Sequence, residues 1–121
     1  MFEMTIDMEK KYFYVKVSGF IKMEEAQQLI TEYQKSVGKF DPSEYTLIAD
    51  ASEQKAVDEE SLQGSLSFLM LLLQAPFKKR IALKFKSTIA QSQILRLGKQ
   101  VDGFDGILFV DDFDSAMKLL A

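Results

Sequence analysis

"YTLIADASEQKAVDEESLQGSLSFLMLLLQAPFKKRIALKF", residues 45–85, decides the fold class. It opens on a short apolar stretch ending in an acid, Tyr45–Asp50, and closes on another, Arg80–Phe85. Between them lie a polar loop and a helix reading from Asp58 to Gln74. Asp58 is a natural N-cap, Glu59 and Glu60 suit the positive helix start, and Pro76 helps to end it. Strand, helix and strand at this spacing form a parallel crossover unit. The apolar centre of "YTLIAD" predicts a strand buried on both faces.

Working outward, "MTID" and "YFYVKVS" read as strands around a turn at Glu9–Lys11. In the second, Phe13, Val15 and Val17 share one face, and Tyr12, Tyr14 and Lys16 the other. "KMEEAQQLITEYQKSVG" is the clearest helix, with Met23, Ala26, Ile30, Tyr33 and Val37 at helical spacing and Gly38 as its stop. "STIAQSQILRLGKQV" is a third helix, with Ile89, Ile94, Leu97 and Val101 inward and Ser87 as its cap. "GILFV" is a fifth strand, and "DDFDSAMKLLA" a short closing helix that starts on cap-type acids. The order β-β-α-β-α-β-α-β-α implies an α/β fold: a mixed, mostly parallel five-stranded sheet with about four helices and right-handed crossovers. A chain of 121 residues with no linker or repeat suits one domain, residues 1–121.

Three stretches resemble the STAS domain, the family of anti-sigma-factor antagonists and sulfate-transporter tails, and its SpoIIAA-like relatives. "VKVSGFIKMEEAQQL" is similar to the family's strand, glycine, short linker and helix. "YTLIADAS" is similar to its central strand, which ends in Asp and a small residue. "RIALKF" and "GILFVDDFDSAMKLL" resemble its last two strands and closing helix. The resemblance implies a regulatory domain acting through protein contacts. In the bacterial regulators a serine at the start of the second helix, in an Asp-Ser-Ser-Gly type of motif, is phosphorylated. Ser61, within "VDEESLQG", is the nearest position here. Glu59 and Glu60 replace the small and polar residues before it, and Leu62 replaces the glycine. Two carboxylates beside a phosphoserine would repel its charge of about −1.5 to −2. The departure points to the SpoIIAA-like branch, whose members mostly lack the switch serine; otherwise Ser61 is a first-turn serine bonding locally.

The second helix is apolar on two sides. Leu62, Leu66, Leu69 and Leu73 form a stripe that belongs on the sheet. Gly64, Phe68, Leu71, Leu72 and Ala75 lie nearly opposite. A small domain has few layers in which to enclose a second stripe, so it is read as a protein interface, most simply of a twofold homodimer. The alternatives are cover from the neighbouring helix or from the loop through "EQKAV", and a lipid or other apolar ligand under the helix.

The chain has no cysteine and no histidine, which removes disulfides, thiol nucleophiles, Cys/His metal sites and histidine acid–base chemistry. "MFEMTIDMEK" has acids early and no apolar core, unlike a secretory signal, and "FLMLLL" is too short to cross a bilayer; the expectation is a cytoplasmic protein without membrane insertion. The net charge of −3 hides an uneven spread: residues 61–101 hold no acid and seven bases. Lys84 and Lys86 flank a strand end and Ser87 and Thr88 open the next helix, where a phosphate or acidic partner group would find free amides and a favourable dipole. Alternatively the lysines are solvated and Ser87 only caps. The acidic total argues against nucleic acid, and no basic amphipathic helix supports an acidic-lipid surface. Asp50, Asp111 and Asp112 end two strands and, if brought together, would hold magnesium; Asp111 or Asp112 otherwise caps the last helix. The chain has no GxxxxGK[ST], GxGxxG or G-x-S-x-G pattern, so neither a cofactor nor an enzyme is expected. The leading expectation is a regulatory contact domain, with a small-ligand domain for an anionic or lipid-like molecule as the alternative.

Overall fold

The computed structural model describes residues 1–120, the side chain of Glu59 apart. The strands are β1 (Phe2–Asp7), β2 (Tyr12–Gly19), β3 (Thr46–Gln54), β4 (Lys79–Leu83) and β5 (Leu108–Val110). The helices are α1 (Met23–Val37), α2 (Glu59–Gln74), α3 (Thr88–Gly98) and α4 (Phe113–Lys118), with single 3₁₀ turns at Pro42–Glu44 and Phe104–Gly106. The closing helix, expected over 111–121, is thus shorter than its sequence pattern, and Ala121 lies outside the described residues. Among the described residues no helix is long and apolar enough to cross a membrane.

The strands lie in the sheet in the order of the chain. β1 and β2 are an antiparallel pair, and β2 to β5 are parallel. Each crossover therefore steps one strand in the same direction. Right-handed connections that all step the same way put their helices on one face. α1, α2 and α3 form that layer, and α4 returns to the opposite face.

The alternation of β2 sorts the core as its sequence predicts. Phe13, Val15 and Val17 are buried under the three-helix layer with Ala26, Leu29, Tyr33, Leu47 and Leu72. Tyr12 and Tyr14 face the other way, toward a smaller core of Ile48, Ile81, Leu83 and Ala116. β3 is central and buried on both faces over Thr46–Ile48, again as expected.

Three details differ from the sequence expectation. α1 buries Ala26, Leu29 and Tyr33, whereas Met23 stands 41% exposed at its free end. In α3 the fully buried positions are Ala90 and Gly98, Ile94 points inward as expected, and Ile89 is instead 68% exposed. β3 does not end at Asp50 but runs four residues further, to Gln54.

Candidate functional site

A cavity of about 100 Å³, partly open to solvent, lies between the sheet and α2. Its cause is visible in the strands beneath it. Ala49 and Ala51 of β3 and Ala82 of β4 line it, so the central floor is built of methyl groups. Leu69, Phe68 and Leu72 of α2 form the roof, with Ile94 of α3 and Phe104 and Phe109 at the far side. Protein interiors normally fill such space.

Four polar residues line this otherwise apolar wall: Asp50, Gln54, Ser65 and Arg80. Two have their charged groups engaged elsewhere. Arg80 donates through Nε to the Leu72 carbonyl at 3.0 Å, and through Nη2 to the carbonyls of Leu73, at 3.0 Å, and Ala75. It thereby satisfies the carbonyls that the end of α2 leaves unpaired. The Tyr33 hydroxyl donates to the Leu71 carbonyl at 3.3 Å, one turn earlier.

Asp50 sends its carboxylate to the opposite face of the sheet. Oδ1 accepts from the Ser52 amide at 3.0 Å and the Ser52 hydroxyl at 2.6 Å, and Oδ2 accepts from the Tyr14 hydroxyl. Burial pushes the Asp50 carboxyl upward, but these bonds and the charge of Lys16 outweigh it, so it titrates below its ordinary value. Burial and then the Asp50 bond raise the Tyr14 phenol.

The Asp50–Ser52 turn has a geometric result. Lys16 pairs with Asp50, but Ser18 pairs with Glu53, so β3 carries one residue more than β2. This is a β-bulge, which changes the face to which the following residues point. Without it, Glu53 would face the cavity and Gln54 would not. With it, Glu53 shares the Lys16 face and pairs with Lys16 at 3.0 Å, and Gln54, opposite Gly19, is turned to the cavity. In the sequence this segment reads as a polar loop, which hides Gln54, whereas in the structure it continues β3. The D-x-S pattern of Asp50, Ala51 and Ser52, an Asx-turn signature, was the available signal.

The face assigned to a twofold partner is internal. Gly64, Phe68, Leu71, Leu72 and Ala75 face α1 and the core. Leu72 is 8% exposed, and the Phe68 and Tyr33 rings meet edge to face at 5.4 Å. A methyl group on Gly64 would stand 2.9 Å from the Ala26 Cβ. As the middle helix of its layer, α2 is enclosed from the side, by α1 on one flank and α3 on the other. Gln63, Ser67, Met70 and Gln74 face solvent.

The anion candidates are not assembled into a site. Lys84 pairs with Asp111 at 3.0 Å, and Lys86 lies 3.6 Å from Glu53. Ser87 accepts from the Ala90 amide at 3.1 Å as the α3 cap, and Thr88 is exposed. The three acids are likewise separate: Asp50 holds the bulge, Asp111 pairs with Lys84, and Asp112 caps α4 by accepting from the Ser115 amide at 2.8 Å. Among the described residues no group of three acids is placed to hold a metal ion. Ser61 sits in the first turn of α2, where the resemblance put it, and its amide donates to Asp58 at 2.8 Å. The Ser61 amide and hydroxyl hold the Asp58 carboxyl below its usual range, so a phosphate there would meet a charged carboxylate. The loop before α2 is fastened to α3 by Gln93, which accepts from the Val57 amide at 3.1 Å and donates to its carbonyl at 2.8 Å.

No family model matches the chain. No curated protein matches it either. Among solved structures it is similar to an uncharacterized protein of the DUF3478 family with a SpoIIAA-like fold from Shewanella loihica PV-4. The TM-score is 0.69 at 15% identity, over 100% of this chain and 93% of that one. The chain has the SpoIIAA-like fold.

Proposed function

We propose that this chain, a SpoIIAA-like fold with an apolar cavity beneath its middle helix, is a cytoplasmic, non-enzymatic regulatory domain that binds a small apolar molecule under α2. The observation that carries this reading is the alanine floor under a leucine and phenylalanine roof. Convergent small side chains leave a void where a domain of this size would otherwise gain packing, and apolar voids take apolar guests. The roof is a single helix, so occupancy acts directly on its position, which is the means by which a binding event becomes a regulatory one.

Saturation-transfer NMR against a set of small apolar and amphipathic molecules tests this. Binders are expected with the natural chain and lost with Ala82→Leu, whose larger side chain fills the floor. A flat screen, or binders unaffected by Ala82→Leu in a variant with an intact amide spectrum, overturns it.

A second reading, regulation through protein contact, is favoured by exposed apolar side chains at the carboxyl end of the parallel strands. Phe20 is 65% and Ile89 68% exposed, and the Lys55 ammonium stands 5.3 Å from the Phe20 ring. Large apolar side chains exposed to this degree are candidates for a contact surface. Under this reading the solution mass exceeds that of one chain, and Phe20→Asp returns it to one chain. A single-chain mass for the natural protein removes a second copy as the partner.

A further inference from the structure

We infer that the cavity selects an uncharged molecule bearing a hydrogen-bonding head, such as a short-chain primary amide, and that Gln54 and Ser65 read this head. The inference rests on the ligand-binding reading above and goes beyond it by naming the ligand class.

Gln54 is 9% exposed and lines the cavity, and its side-chain amide makes no hydrogen bond to the described residues. Among those residues no buried side-chain nitrogen or oxygen is sealed in without a partner, so the Gln54 amide keeps some access to solvent while the residue lines the cavity. The Ser65 hydroxyl, also on the cavity wall, makes none either. The bulge turns Gln54 toward the helix layer, and a guest that displaces water from its amide loses affinity unless it replaces those hydrogen bonds. A ligand with both a donor and an acceptor satisfies Gln54, which itself offers both.

Charge narrows the class. The bulge puts the Glu53 carboxylate on the far face of the sheet and an uncharged amide in the wall. Asp58 and Glu60 open α2 and are both exposed, and α2 itself carries no cation at that end. Arg80 is at the opposite end, committed to three carbonyls of α2. An anionic head would have to lose hydration at Gln54 or take Arg80 from the helix it caps. Size narrows the class further. An engineered cavity of about 150 Å³ takes benzene, so one of about 100 Å³ suits a chain of roughly four carbons with its head at the polar end.

Butanamide and butyrate have the same shape and differ in charge at pH 7, so they form the test pair. Amide spectra of the ¹⁵N-labelled chain are titrated with each, and xenon serves as a headless probe of the cavity. The expected result is butanamide binding about tenfold tighter than butyrate, with shifts at Gln54, Ser65 and Ala82. Gln54→Met, close in size, is expected to weaken butanamide by about five- to tenfold and to leave xenon unchanged. Ser65→Ala provides a second variant with a smaller loss in the same direction. Butyrate binding as tightly as butanamide, or butanamide unaffected by both variants, overturns the head selection while xenon still enters. Failure of all three probes overturns the ligand-binding reading with it.

Discussion

Asp50 shows how one residue sets a site without belonging to its chemistry. Its carboxylate organises the Ser52 turn, the turn makes the bulge, and the bulge turns Gln54 inward. Replacing it with Ala leaves the Tyr14 and Ser52 hydroxyls without their acceptor and is expected to cost about 1–3 kcal/mol in urea unfolding. The charge also has a pH signature. Because the folded pKa is depressed, the stabilisation is full above the unfolded value of about 3.9 and is lost as pH falls through the folded one. Asp50→Asn, which keeps an Asx-turn acceptor, is expected to flatten the acid limb of stability against pH; an unchanged limb would contradict this. The acid at position 50 and the D-x-S spacing were legible in the sequence. Its partner Tyr14 was not, because it comes from 36 residues away.

At the scale of elements, α2 carries the main correction. Its two apolar stripes were legible from helical spacing, but the direction each faces was not. The helix points between them. Leu69 and Leu72 line the space over the sheet, the side carrying Gly64 and Phe68 flanks α1, and Leu73 faces Gly103, beyond the end of α3. The line of Gln63, Ser67 and Gln74 was the sign of a solvent face, and Met70 within it obscured that sign. Leu72→Asp is therefore expected to unfold the domain, since it buries an unpaired charge at a cost of at least about 4 kcal/mol, whereas Met70→Asp is expected to stay within about 0.5 kcal/mol. Circular dichroism melts separate the two, and a folded Leu72→Asp chain would contradict the placement. Gly64→Ala is expected to lose stability despite a helix-propensity gain of about 1 kcal/mol, because the new methyl meets Ala26. Ala26→Gly in the same chain is expected to relieve that contact, which a double-mutant cycle measures.

At the scale of the whole molecule, the element order and sheet class followed from the sequence because hydrophobic periodicity reports both. The order of strands in the sheet did not, since no local pattern encodes it. That order puts three successive crossover helices on one face, and this encloses α2 from its flanks and leaves a cavity beneath it. The cavity was invisible in the sequence because it depends on Ala49 and Ala82, residues on different strands, meeting side by side. The most direct test of the account is diffraction from a crystal of the natural chain held under xenon pressure. A strong xenon peak enclosed by Ala49, Ala82, Leu69 and Phe109, absent from Ala82→Leu, is the result expected. Side chains filling that space, with no xenon between the sheet and α2, would contradict it.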